Sequence, residues 1–389
     1  MNRMDNFVYE YLVRVCFGKD CVRQHLRQLL ECCWETVLLA YGGGSVRKNG
    51  IYDQIMGELK AADKSVVEFA GIMPNPTYAK VQEGATLVRE NHVDFILAVG
   101  GGSVIDCCKI VAAQAKSSQD IWEMEFTDHR YPQEWVPMGA VVTASGTGAE
   151  MNNGAVITNE DKKVKAGLLG AYADFALLDP ASTLSLPMGQ VISGAFDTLS
   201  HCMETYFEKL DHVILSDEIS EAVMRNVIRN LRILTENPQD MEARNELMWA
   251  SAMGENGILK IGEVTDFQAH QMEHQLGAYT DCNHGQGLAV IHPVLYRHIY
   301  ENNIGRFARF ACEVWGISPK GKTEQELALA GIDALTDFIK EVGLPTTLTE
   351  IGITDEGILK AVADTCNITA GCCKKLTCDE IFEILKECV

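Results

Sequence analysis

The sequence predicts an N-terminal α/β domain followed by an all-helical C-terminal domain. Three observations carry this. Short, bare apolar runs stop at glycines. These runs alternate with stretches of helical spacing as far as about residue 185. Beyond Asp179-Pro180 helical periodicity continues while strand signals nearly vanish. A bare apolar run has no polar face, so it fits a strand covered on both sides, as in a mostly parallel sheet flanked by helices. The domains are therefore drawn as 1–185 and 186–389.

Taken in order, residues 7–15 have an extended, β-rich composition, and 36–41 (TVLLAY) form an apolar run ending at Gly42. Ile51, Ile55 and Leu59 recur at helical spacing. Residues 65–70 read as strand, and Pro74-Asn75-Pro76 interrupts the chain before another helix. Residues 95–99 (FILAV) form the barest run, ending in Gly100-Gly101-Gly102, with helix following over 106–115. Residues 140–144 and 175–178 complete the strands. In the second half, 188–209, 216–235, 241–261 and 323–342 read as helices.

Composition narrows the function. The 389 residues are 47% hydrophobic and 22% charged, with a formal charge of −21. An ordinary apolar fraction excludes a disordered chain. The acidic balance repels phosphate backbones and anionic lipids, which argues against nucleic-acid and membrane-surface roles. No run approaches the roughly 20 apolar residues of a membrane span, and the first twenty residues lack the apolar core of a signal peptide. The fourteen cysteines are expected as reduced thiols in a cytoplasmic protein.

Any bound phosphate must then be held by local geometry. Gly100-Gly101-Gly102-Ser103 joins a strand to a helix, so bare backbone N–H groups can approach a pyrophosphate at a helix N-terminus, with Ser103 as hydroxyl donor or cap. The turn is neither G-x-G-x-x-G nor a Walker loop; read blandly, its glycines only tighten a turn. A second cluster, Gly42-Gly43-Gly44-Ser45 with Arg47 and Lys48, follows the earlier strand. Sites for NAD often place an acid on the adenosine ribose, whereas arginine near a 2′-phosphate suits NADP. The absence of an acid at 42 and the presence of Ser45, Arg47 and Lys48 tilt the cofactor toward NADP. The bland alternative is a pair of solvated surface cations. Thr143, Ser145 and Thr147 with Gly146 and Gly148 close another strand and offer hydroxyls to phosphate or ribose.

The densest chemistry lies in the second half. Asp197 and His201 are spaced i, i+4, as are His270 and His274, and His284 follows. Positions four apart share a helix face. Three histidines fall within 270–284 in a chain that has ten. A carboxylate with imidazoles suits a first-row divalent cation, iron, zinc, nickel or cobalt, rather than Mg²⁺ or Ca²⁺. The residue after His270 is Gln271, so the HExxH pattern of a zinc protease is missing. Cys366, Cys372, Cys373 and Cys378 form a competing cluster, and Cys32-Cys33 and Cys107-Cys108 are vicinal pairs. None has CxxC spacing, and small buried thiols are the better reading.

The ordered set YGGGSVRKNG, PNPT, AVGGGSVIDCCK, TASGTGAE, GAFDTLSHCMETY and HQMEHQLGAYTDCNHG resembles the iron-containing (group III) alcohol dehydrogenases, above all their NADPH-dependent butanol dehydrogenase branch. The resemblance spans nearly the whole chain. It implies a dehydroquinate-synthase-like architecture, with an N-terminal α/β dinucleotide-binding domain and a helical C-terminal metal domain. It further implies Asp197, His201, His270 and His284 as metal ligands, with Fe²⁺ first and Zn²⁺ or Ni²⁺ also accommodated. His274 becomes a histidine beside the substrate that relays a proton. Gly101, Gly102, Ser103 and Asp106 become the pyrophosphate loop, Thr143 and Thr147 the nicotinamide side, and Asn75 and Lys165 further cofactor contacts. NAD-preferring members carry an aspartate where this chain has Gly42, so NADP(H) is expected ahead of NAD(H). The implied reaction interconverts a primary alcohol and its aldehyde, and homodimers are common in such families. A polyol dehydrogenase of the same superfold, and a non-catalytic protein binding nucleotide and metal, are the alternatives.

Overall fold

A computed structural model describes residues 7–31, 34–208, 213–366, 371 and 373–389. Cys32, Cys33 and Cys372 lie outside the described residues. The chain divides into two compact units. One is Glu10–Pro187; the other is Met188–Val389, joined by residues 7–9.

The first unit is built on six parallel strands: β1 (Arg14–Phe17), β2 (Thr36–Tyr41), β3 (Ser65–Phe69), β4 (Phe95–Gly100), β5 (Met138–Val142) and, after a hairpin, β8 (Phe175–Leu178). Their order is β1-β8-β5-β4-β2-β3. The bare apolar run of β4 is buried at every residue, because helices cover both faces of the sheet. Residues 7–15, expected as one extended stretch, become strand only from Arg14 onward. A two-stranded antiparallel hairpin, β6 (Gly154–Asn159) with β7 (Val164–Leu169), has no counterpart in the sequence reading. Its turn, Glu160-Asp161-Lys162-Lys163, holds Lys163 at a positive φ of 52°, and its strands mix lysine, asparagine and glycine into the apolar pattern.

Topology positions the phosphate-type loops. β2 leads outward to β3, whereas β4, on the other side of β2, leads away to β5. The carboxyl ends of β2 and β4 thus flank the point where strand order reverses, where open α/β sheets bind ligands. Gly42 ends β2 and Gly100–Gly102 ends β4, so both glycine clusters arrive there.

A buried carboxyl supports the hairpin. Leu169 N–H donates to both oxygens of Glu125 at 3.1 and 3.0 Å. Burial pushes the Glu125 pKa up to about 7, only partly offset by that N–H. The folded value lies above the ordinary 4.5, so the folded state holds the proton more tightly. The stability this one group contributes should therefore be full below about pH 4.5 and fall as pH rises toward 7. Glu125→Gln, which keeps one acceptor, is expected to gain on the order of 1–3 kcal/mol over wild type at pH 8 and nothing at pH 4. Urea midpoints across that range check this; a pH-independent difference contradicts it.

The second unit is helical, and no helix among the described residues is long and apolar enough to cross a membrane. Its core gathers Phe196, Met203 and Tyr206 from the Met188–Tyr206 helix, Met224 and Leu231 from Leu215–Glu236, and Tyr296 and Ile299 from His284–Ile299. The helical reading of 241–261 ends earlier, at Glu255, with a separate 3-10 turn at Ile258–Lys260. Gly257, at φ 86°, sits between them, a conformation in which glycine escapes the Cβ clash.

Candidate metal centre and nucleotide loops

Asp197 and His201 lie one turn apart on the Met188–Tyr206 helix. His270 and His274 lie one turn apart on Gln268–Thr280, and His284 opens His284–Ile299. The fold brings them together. The Nε2 atoms of His284, His270 and His201 lie 3.3, 3.5 and 3.8 Å from the same Asp197 oxygen, Oδ1. Asp197, His201 and His270 offer ligand atoms all within 4.8 Å of one another; a second such trio is Glu273, His274 and His284.

Two tests show that a cation fits. Asp197 Oδ1 and His270 Nε2 are buried without a hydrogen-bond partner, a costly arrangement for polar atoms unless something else satisfies them. The spacings also agree with tetrahedral coordination, where bonds of about 2.1 Å leave ligand atoms about 3.4 Å apart.

Carboxylates stand behind each imidazole. His270 Nδ1 is hydrogen-bonded to Glu204, which also accepts from Ala269 N at 2.6 Å. His284 Nδ1 is bonded to Glu273. Glu255 Oε1 lies 3.9 Å from His201 Nδ1 and its other oxygen 3.0 Å from Lys260 Nζ. The bonds to Glu204 and Glu273 fix the tautomers of His270 and His284, so that Nε2 carries the lone pair, and orient the rings; Glu255 stands beyond hydrogen-bond distance of His201. Sequence reading missed Glu204, Glu255 and Glu273, although Glu204 and Glu273 each follow a ligand by three residues and so share its helix face.

The electrostatics follow from this packing. Burial alone would raise the Asp197 pKa, but His201 and His284 hold it well below the ordinary range. Burial lowers His270, yet Glu204 and Asp197 outweigh it and raise the ring above its ordinary value. His284 is raised in the same way by Glu273 and Asp197, whereas burial prevails at His201 and lowers it. His274 is buried, its ring 5.4 Å from that of His284 and 5.7 Å from that of His270. Cys202 is buried beside His201, and Cys282 points its thiol toward Glu273 Oε1 at 3.8 Å. Among the described residues no cysteine joins a group able to hold a metal.

In the first unit, Gly101 caps the Gly102–Lys116 helix, and Ser103 lies within its first turn rather than capping it. A Cβ at Gly102 would overlap Thr147 Oγ1, and one at Gly101 would come 3.1 Å from the Ala144 Cβ. Thr143 N–H donates to Gly100 O at 2.9 Å. The 143–147 loop and the glycine turn are therefore packed together, which only glycine permits. Asp106 uses Oδ2 to accept from Val156 N at 2.9 Å and places Oδ1 3.6 Å from Lys109 Nζ. This ties the helix to the hairpin. Lys165 is buried on β7, and Asn75 takes the left-handed conformation at φ 52°.

Arg47, about half exposed, already has partners within the first unit. Its guanidinium pairs with Glu68, meets Tyr41 Oη at 2.6 Å and lies 3.9 Å from the Tyr52 ring centre. Tyr41 and Tyr52 donate to the two Glu68 oxygens at 2.6 and 2.7 Å. These hydroxyls and Arg47 hold the Glu68 carboxyl below its ordinary pKa. Glu68, on the neighbouring strand β3, thus places a carboxylate beside Arg47. Gly42, Gly43 and Gly44 lead into the short Ser45–Lys48 helix, with Gly44 at φ 100°.

Comparison with known proteins agrees with this geometry. Residues 13–180 match the family described as iron-containing alcohol dehydrogenase, and residues 191–389 match the Fe-containing alcohol dehydrogenase family, C-terminal. The chain is 37% identical to a probable NADH-dependent butanol dehydrogenase 1 of Bacillus subtilis, across 98% of this chain and 99% of that protein. It is 34% identical to the NADPH-dependent aldehyde reductase YqhD of Escherichia coli, across 91% of each. The crystal structure of NADH-dependent butanol dehydrogenase A from Thermotoga maritima superposes with a TM-score of 0.94, at 34% identity and 99% coverage of both chains. With family matches over both units and the Asp-plus-three-His cluster assembled, the chain belongs to the iron-containing alcohol dehydrogenase family.

Proposed function

We propose that this protein interconverts short primary alcohols and their aldehydes, butanol and butanal among them, and that it uses NADP(H) ahead of NAD(H). The observation that carries the reading is the convergence of three imidazole Nε2 atoms on one buried oxygen of Asp197. Resemblance to butanol dehydrogenases and to an aldehyde reductase supports the substrate class. Asp197, His201, His270 and His284 would hold the cation, Fe²⁺ by family and Zn²⁺ or Ni²⁺ by ligand chemistry. A cation there supplies Lewis-acid polarisation of a carbonyl oxygen, and a nicotinamide supplies the hydride.

The chain's own residues do the rest. Glu204 and Glu273 keep His270 and His284 in the ligating tautomer. Gly101, Gly102 and Ser103 present backbone at a helix N-terminus for the pyrophosphate, with Thr143 and Thr147 alongside. His274 holds or moves the proton at its imidazole. Metal-loaded protein should oxidise NADPH with butanal; no turnover with any short aldehyde and either nicotinamide removes the reading. His274→Ala is expected to keep the metal and lose about 100-fold or more in turnover. Loss of the metal from that variant would instead make His274 a ligand.

Because Glu68 occupies Arg47, the preference between nicotinamides rests mainly on Gly42 and is expected to be small. Gly42→Asp should move the kcat/KM ratio toward NADH, after the Ile72 carbonyl, 3.2 Å from the new Cβ, gives slightly. Glu68→Gln should free Arg47 for a 2′-phosphate and move the ratio toward NADPH by about tenfold, the worth of one charge-assisted hydrogen bond. Unchanged ratios in both variants would show that this end of the sheet does not read the ribose.

A further inference from the structure

Eight described residues other than glycine have a positive φ, and seven are Asp, Asn, His or Lys. The eighth is Phe267, at φ 51° and ψ 23°. Small polar residues reach this conformation with help from local hydrogen bonds, but for a bulky aromatic it is a strained outlier. Strain of this kind persists only where its surroundings over-determine it, and it gathers at functional sites.

The surroundings of Phe267 do over-determine it. On one side, Asp266 N–H donates to Glu204 O at 2.8 Å. On the other, Ala269 N–H donates to Glu204 Oε1 at 2.6 Å. Gln268, fully buried, donates to Lys374 O at 2.8 Å and accepts from Leu376 N at 3.1 Å. The carbonyl of Phe267 then accepts from Gln271 N at 3.1 Å and opens the helix that carries His270.

The result is a ring set against two ligands. Its centre lies 5.2 Å from that of His270 and 6.1 Å from that of His201. Those two imidazoles are stacked on each other at 4.6 Å and 12°. Lys260 Nζ stands over the same phenyl ring at 5.2 Å, held there by Glu255. The phenyl thus has ligand imidazoles on one side and an ammonium group on another.

We propose that Phe267 is a positioning residue for the metal centre. Its ring holds the His201–His270 stack in the ligating rotamers and keeps the Lys260 ammonium off the cation, and the left-handed backbone is what delivers the ring there. The proposal rests on the metal-centre reading above. Its first check is separate from catalysis: wild-type protein that takes up no Co²⁺ overturns the centre itself, before any variant is compared.

The test is metal affinity of the purified full chain, using Co²⁺ and Zn²⁺ in competition with a chromophoric chelator, and the Co²⁺ absorption spectrum. Phe267→Ala removes the ring and keeps the strain, whereas Phe267→Gly removes both. Both are expected to weaken binding by about 10- to 100-fold, the usual effect of losing a group that orients ligands, and to shift the Co²⁺ spectrum. Phe267→Tyr should restore both. Wild-type affinity in the glycine variant would overturn the proposal, since the ring would then hold nothing. If the alanine and glycine chains fail to fold, Phe267→Leu carries the same test, with weaker binding expected and wild-type affinity overturning it.

Discussion

Replacing Gly285 with alanine is expected to cost the protein its metal centre. Gly285 follows His284 in the first turn of the His284–Ile299 helix. A Cβ there would overlap the carbonyl oxygen of Ser193 and its hydroxyl. A backbone oxygen inside a helix cannot swing aside as a side-chain tip can. The same junction is tightened by Ser193 Oγ donating to Asn283 Oδ1 at 2.5 Å, while that oxygen also accepts from Gln286 N at 3.1 Å. Relief therefore comes only by moving one helix from the other. One carries His284, and the other carries Asp197 one turn beyond Ser193. The 3.3 Å spacing between their ligand atoms would open, and a misplacement of about 1 Å costs on the order of 100-fold in rate. Elemental analysis and kcat/KM with butanal read both consequences. Full metal occupancy with undiminished turnover would show that the helices yield without disturbing His284.

The second large effect concerns stability. Arg306 is almost wholly buried, with Nη2 3.1 Å from Glu208 Oε1, Nη1 paired to Asp217, and the guanidinium 4.9 Å from the Tyr206 ring centre. Glu208 and Asp217 are themselves buried, and Glu208 Oε2 also accepts from Val264 N at 3.0 Å. Arg306→Ala leaves two carboxylates in the interior without their cation, expected to cost about 3–5 kcal/mol. Arg232–Glu341 has comparable geometry, at 2.8 Å, but is about half exposed. Arg232→Ala is expected to cost less than about 1 kcal/mol. Urea denaturation of the two variants side by side decides the matter. Equal losses would mean that burial is not what gives the Arg306 cluster its weight.

Much of the fold was legible in the sequence because burial leaves a plain mark. TVLLAY, FILAV and FALL are apolar throughout since both sheet faces are covered, and each is a strand. The mixed strands of the β6–β7 hairpin leave no such mark. Asp197/His201 and His270/His274 were legible as pairs because four residues make one helical turn.

The linear chain by itself determined the two-part α/β-then-helical plan, the glycine turns and the types of ligand, since these depend on local spacing and on the burial of short segments. Only the tertiary structure decided that Glu204, Glu255 and Glu273 back the imidazoles, that Glu68 claims Arg47, and that Phe267 is bent against two ligands. Each of these is a meeting of side chains from different elements. Such meetings depend on how helices and strands pack in space, and helical or strand periodicity carries no information about the partner across the gap.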